Sequence, residues 1–120
     1  MYKSGVTVWY NVSRLDATIA FYTEKLGFEK IFHDVESGMA MVSTNTPDCV
    51  IGFSEAEAVV PSTSSTVFEV INIEEAMQHL QQQGVPFVGG IETIPDMVKL
   101  ATFTDPDGHN LMLAETLDPL

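Results

Sequence analysis

Cysteine, basic side chains and long apolar runs are all scarce in this sequence. The one cysteine, Cys49, cannot close an internal disulfide, which points to a reducing cytoplasm. It reads as a small core residue, because it sits in an apolar run and no histidine neighbours it in sequence to activate the thiol. No apolar stretch approaches the roughly 18 residues needed to span a bilayer. Met1-Tyr2-Lys3-Ser4-Gly5 runs straight into a strand-like pattern, without the apolar stretch and small-residue cleavage site of a secretory signal. Lys and Arg number 5 against 17 Asp and Glu, for a net charge of −12. Between Lys30 and Lys99 there is no Lys or Arg at all. Such a surface repels phosphate backbones and anionic headgroups, which argues against nucleic-acid and membrane partners. It serves solubility, or it creates a field that favours a cationic ligand.

What is present is a repeated pattern. At 120 residues, 45% apolar and 18% charged, the chain is sized and composed for one compact domain. Val6, Val8, Tyr10 and Val12 alternate as in a strand. Ser13 then offers a helix N-cap, with Asp16 three residues on as a weaker capping box. Leu15, Ile19, Tyr22 and Leu26 recur at helical spacing, and Gly27 supplies a left-handed stop. Strands are predicted at Phe28–Val35, Met39–Ser43 and Cys49–Ser54, broken by Ser37-Gly38 and Asn45-Thr46-Pro47-Asp48.

After a connector over 55–64 the order repeats. A strand is predicted over Thr66–Ile71, Asn72 caps, and Glu75 stands at the third helical position. Ile73, Met77 and Leu80 share a helix face that ends at Gly84, before Pro86. Further strands are predicted at Phe87–Thr93, Val98–Thr104 and Asn110–Ala114. Setting Val12 on Val70 places Leu15 on Ile73, Ile19 on Met77 and Tyr22 on Leu80. The expected fold class is α+β, with two tandem βαβββ units over about 5–54 and 65–116 within a single domain spanning 1–120.

Three stretches carry a family likeness: Val12-Ser13-Arg14-Leu15, Phe21-Tyr22-Thr23-Glu24-Lys25-Leu26-Gly27-Phe28, and Phe103-Thr104-Asp105-Pro106-Asp107-Gly108-His109-Asn110-Leu111. Asp105-Pro106-Asp107-Gly108 taken alone is an ordinary hairpin turn. The order of all the features over nearly the whole chain makes the likeness specific. The sequence resembles the vicinal-oxygen-chelate superfamily of glyoxalases, extradiol dioxygenases and bleomycin- and fosfomycin-resistance proteins. The resemblance implies curved half-sheets pairing into a central cleft, and a homodimer. In the enzymes it also implies a cleft-floor metal that acts as a Lewis acid.

At the positions where metal-dependent relatives place His, Gln or Glu, this chain carries Thr7, Gly52, Ser65 and Met112. These do not form a divalent-metal ligand set. Glu55 and Glu115 have the wrong strand parity to replace Gly52 and Met112. His33, His79 and His109 fit solvent-facing or partly buried structural roles. The expected cofactor complement is therefore none, and the metal-free, bleomycin-resistance-like branch fits best.

Strand alternation places Trp9 and Asn11 on the Thr7 face and Val67 and Glu69 on the Ser65 face. Asn110, Met112 and Val50 complete the expected lining, and the repeat sets Asn11 opposite Glu69. Glu69 stands out as an inward carboxylate in mid-strand: a salt-bridge partner, a member of a wet groove, or a counter-ion for a cation stacked on Trp9. The leading expectation is a metal-independent protein that sequesters an aromatic or cationic small molecule such as an antibiotic. The alternatives are a lyase or isomerase with Glu69 as general base, or a dioxygenase- or glyoxalase-type enzyme whose metal ligands lie in another register.

Overall fold

The computed structural model describes residues 1–117. The chain divides into two compact units, Met1–Val60 and the residues from Pro61 onward. Unit 1 runs β1 (Val6–Val12), α1 (Leu15–Ala20), β2 (Glu29–Asp34), β3 (Met39–Ser43) and β4 (Cys49–Glu55). Unit 2 repeats the order with β5 (Thr66–Glu69), α2 (Ile73–Gln82), β6 (Phe87–Ile94), β7 (Val98–Thr104) and β8 (Asn110–Thr116). The sheets are ordered β1-β4-β3-β2 and β5-β8-β7-β6. In each, the first and last strands pair in parallel and the other neighbours are antiparallel. The architecture is therefore α+β, built from two βαβββ units.

Each helix covers one face of its own sheet, because that face carries the apolar half of the strand alternation. In unit 1, Tyr10, Val12, Ala40, Val42, Ile51 and Phe53 are buried with Leu15, Phe21 and Tyr22. Tyr22 packs its ring 4.7 Å from that of Phe53. In unit 2 the core is Ile73, Leu80, Val85, Ala101, Phe103, Leu111 and Leu113. Of the positions equated by the repeat, Leu15, Ile73, Tyr22 and Leu80 are buried, while Ile19 and Met77 are half-buried.

Helix starts differ from the sequence expectation in an informative way. Asn72 does cap α2, its Oδ1 accepting the Glu75 N–H at 3.0 Å. Ser13 is not the cap of α1; Arg14 holds that place and makes no side-chain capping bond. The first helical amide is satisfied from the far end of the unit instead. Glu55 at the end of β4 accepts the Leu15 N–H at 2.8 Å, and Glu115 on β8 accepts the Ile73 N–H at 2.8 Å. A carboxylate at a helix N-terminus also meets the positive end of the helix dipole.

The first helix does not run regularly to Leu26. It widens into a π-type turn over Phe21–Lys25, with the Leu26 N–H reaching back to the Phe21 carbonyl at 3.2 Å. The Thr23 hydroxyl bonds the Ile19 carbonyl at 2.7 Å, competing for an acceptor that the α-helical ladder would use. Gly27 then ends the segment at φ +82° and Gly84 ends α2 at φ +84°, where a side chain would be strained.

Candidate functional site

The face of each sheet turned away from its helix carries the candidate residues. In unit 1, Thr7 pairs with Val50, Trp9 with Gly52, and Asn11 with Ser54, so all six share that open face. Thr7, Trp9 and Asn11 are exposed, Trp9 at 43%. The indole lies against Gly52: a Cβ built there would sit 2.1 Å from Trp9 Cε3 and 2.2 Å from Cζ3. Trp9 Nε1 also donates to the Ser54 Oγ at 2.8 Å. The ring is thus laid down by the missing side chain and pinned at its edge.

Two neighbours of this shelf escaped the sequence reading. Phe32 pairs with Met41 and Met41 with Gly52, which sets Trp9, Gly52, Met41 and Phe32 in one row across four strands. The β2 register shifts between Lys30 and Phe32. That bulge turns Phe32 onto the open face, where unbroken alternation would have put it with Lys30. Phe32 is 45% exposed. Apart from the aromatic character of Phe32, no local signal in the sequence marks the bulge.

In unit 2, Val67 pairs with Met112, Met112 with Thr102, and Thr102 with Val88. The next row runs Glu69, Ala114, Leu100, Glu92. Asn110 begins β8 opposite Thr104, and Ser65 lies exposed one residue before β5. The face therefore gathers Val67, Glu69, Asn110 and Met112, and adds Glu92. Glu69 is exposed, and its Oε1 accepts the Thr116 N–H at 2.9 Å, extending the β5–β8 ladder by one bond.

The charges of unit 2 are one-sided. From Pro61 onward the sequence has nine Asp and Glu and a single Lys or Arg, Lys99. Lys99 pairs with Glu115 and Thr93, on the helix-covered face, and its Nζ meets Glu74 Oε2 at 2.8 Å. That hydrogen bond holds the Glu74 carboxyl below its ordinary range and raises the Lys99 ammonium above its own.

The residues expected at the family's metal positions do not suit a divalent cation. Gly52 has no side chain, and the space one would fill holds the Trp9 ring. Thr7 and Ser65 offer only hydroxyls, and Met112 a soft thioether. Glu55 and Glu115, the carboxylates nearest in sequence, are engaged at the helix starts. Among the described residues, no three His, Cys, Asp or Glu side chains gather at one point.

His33 and His79 are exposed, while His109 is more deeply placed than its position beside a turn suggested, at 3% exposure. The buried Asp105 carboxylate accepts the N–H groups of Asp107 and His109, both at 3.0 Å. His109 Nδ1 in turn accepts the Ser62 N–H at 2.8 Å. This polar knot is structural: it fixes the hairpin turn and ties the entry of unit 2 to it.

Two four-stranded sheets, each with one covering helix and one open face, define a protein of the glyoxalase-like fold. The chain belongs to the Glyoxalase/Bleomycin resistance protein/Dioxygenase superfamily, whose family model matches residues 6–113. Its fold is similar to an integron cassette protein, HFX_CASS4, from the mobile metagenome of the Halifax Harbour sewage outfall. The TM-score is 0.82 at 24% identity, over 95% of this chain and 99% of that one. It is also similar to TnmS3, an antibiotic binding protein from Streptomyces sp. CB03234, with TM-score 0.80 and 19% identity over 96% and 97% of the two chains. A third similar structure is the fosfomycin resistance protein FosX of Listeria monocytogenes, with TM-score 0.81 and 18% identity over 96% and 94%. No curated protein matches the chain. No helix among the described residues is long and apolar enough to cross a membrane.

Proposed function

We propose that this chain is a metal-independent small-molecule-binding protein that sequesters a planar aromatic or cationic ligand, such as an antibiotic. The observation that carries the reading is the Trp9 shelf, an indole set against Gly52, held by Ser54 and still 43% exposed. A ring so fixed loses little freedom when a ligand stacks on it, and a cation over it gains roughly 0.5–2 kcal/mol depending on desolvation. The Thr7 and Asn11 side chains beside it, with Met39 and Met41, give polar and polarisable contacts of the kind that orient small ligands. Similarity to an antibiotic binding protein agrees with this reading.

Trp9 is the only tryptophan, so its fluorescence reports binding without a label. A library of planar aromatic amines and natural-product antibiotics should contain compounds that quench it saturably. Trp9→Leu, which has no tryptophan to quench and is read by calorimetry, should abolish their binding while thermal unfolding stays cooperative. The reading fails if hits bind Trp9→Leu as well as they bind the parent protein. It fails equally if binding requires added zinc, nickel, manganese or iron. Turnover of a bound compound, lost in Glu69→Gln, would favour the lyase or isomerase alternative. The working form is proposed to be a homodimer, which light scattering should show as about twice the 13.2 kDa chain mass.

A further inference from the structure

We infer that the open face of unit 2 is a recognition surface for an amphipathic small molecule bearing two positive charges at its ends. Two rows of the sheet carry the argument. One is apolar at both edges, with Val67 51% and Val88 62% exposed on either side of Met112 and Thr102. The next puts a carboxylate at each edge, Glu69 on β5 and Glu92 on β6, with Ala114 and Leu100 as the floor.

No base answers these carboxylates from within their own unit. Lys99, the only Lys or Arg after residue 60, sits on the opposite face and is bonded to Glu74. An apolar strip edged by two unopposed anions is complementary to an apolar body with a cation at each end. Anionic or neutral ligands of the same body lack that match. Strands spaced about 4.8 Å apart put the two side-chain origins roughly 14 Å apart across the sheet. Glu69 leans over β8 to reach the Thr116 N–H, which shortens the span between the carboxylates. The bulge between Val88 and Glu92, with Gly89 at φ +74°, is what brings Glu92 opposite Leu100 and onto this row.

The proposal rests on the small-molecule reading above only for the size of the ligand; its charge and geometry come from unit 2 alone. It therefore fails separately. The test is calorimetric titration of the full chain with α,ω-diaminoalkanes of about eight to ten carbons, set by the strand spacing, alongside the n-alkylamine and diol of equal length. The diamine should bind more tightly than the monoamine by about fivefold, with the diol weakest. Glu69→Gln and Glu92→Gln should each erase the preference for the diamine. Gln keeps an oxygen acceptor for the Thr116 N–H, so the first substitution removes charge without removing that bond. Glu57→Gln, exposed in unit 1, should leave the preference intact. The proposal is overturned if the diamine binds no better than the monoamine, or if either face variant keeps the parent preference. A Trp9 ligand found without any diamine preference would leave the indole shelf standing and remove only this inference.

Discussion

Replacing Gly52 with alanine should evict the Trp9 indole. The added methyl would sit 2.1 Å from one ring carbon and 2.2 Å from another, far inside contact distance. The ring, not the sheet backbone, is the part that can move, and Trp9 is already 43% exposed. Lifting it exposes roughly 100 Å² of indole, about 2.5 kcal/mol at ~25 cal/mol per Å². Breaking the Trp9–Ser54 hydrogen bond adds about 1 kcal/mol. Replacing a strand glycine that needs no positive φ returns about 0.5–1 kcal/mol through the unfolded chain. The net expectation is a loss of about 2–3 kcal/mol. Urea unfolding reads the stability, and the single tryptophan reads its own environment through a red-shifted emission. Gly90→Ala is the control, because nothing lies within 4 Å of the Cβ it would add. Unchanged emission and midpoint in Gly52→Ala would refute the idea that the missing side chain holds the ring down.

Three further outcomes follow from local geometry. Glu115→Ala should lose about 1–2 kcal/mol by stripping the Ile73 amide of its acceptor at the positive end of α2, and Glu115→Gln, which keeps an acceptor, should lose less in the same thermal melt. Thr18→Val should raise the melting temperature, since the Thr18 hydroxyl is fully buried with no hydrogen-bond partner among the described residues and its removal should return about 1 kcal/mol. For Glu74 and Lys99 the signs define a window. The depressed Glu74 carboxyl contributes above its unfolded-state value and loses that contribution as pH falls through its folded value. The raised Lys99 ammonium contributes below its unfolded-state value and loses it as pH rises through its folded value. A double-mutant cycle on Glu74→Gln and Lys99→Met should therefore show coupling near neutrality that disappears in strong acid. Coupling of equal size at both pH values would contradict this account.

The fold was legible because local signals and the repeat agreed. Strand alternation, the Asn72 cap and the glycine stops at Gly27 and Gly84 are all encoded by nearby residues, and each element they mark is present. What could not be read depended on partners distant in sequence. Ser13 looks like a cap, yet the Leu15 amide is met by Glu55, 40 residues away. The Thr23 hydroxyl widens a turn that apolar spacing alone describes as regular helix. On the open faces, alternation sufficed to group Thr7, Trp9 and Asn11, and separately Val67 and Glu69, because β1 and β5 are unbroken. Phe32 lies beyond a bulge that reverses the count by twos, and Glu92 beyond one that keeps its face but shifts the residue it opposes. The settled posture of Trp9 was likewise out of reach, since it depends on an absent side chain on a strand paired through long-range contacts.

The carboxylates at Glu55 and Glu115 set the order in which this chain can mature. Each stands on the last strand of its unit and closes on the first helical amide, across 40 and 42 residues respectively. A helix start secured this way stays provisional until the final strand has docked, so each unit gains its closing bond late and all at once. In unit 1 every such contact lies within residues 6–56, including the Ala56 N–H to the Val12 carbonyl. Synthesis from the N-terminus therefore releases a first unit with its own contacts complete while the second is still emerging. Shortening the chain at Ala56 should spare that first unit, whereas trimming it back past Glu55 should leave its helix without the acceptor that begins it.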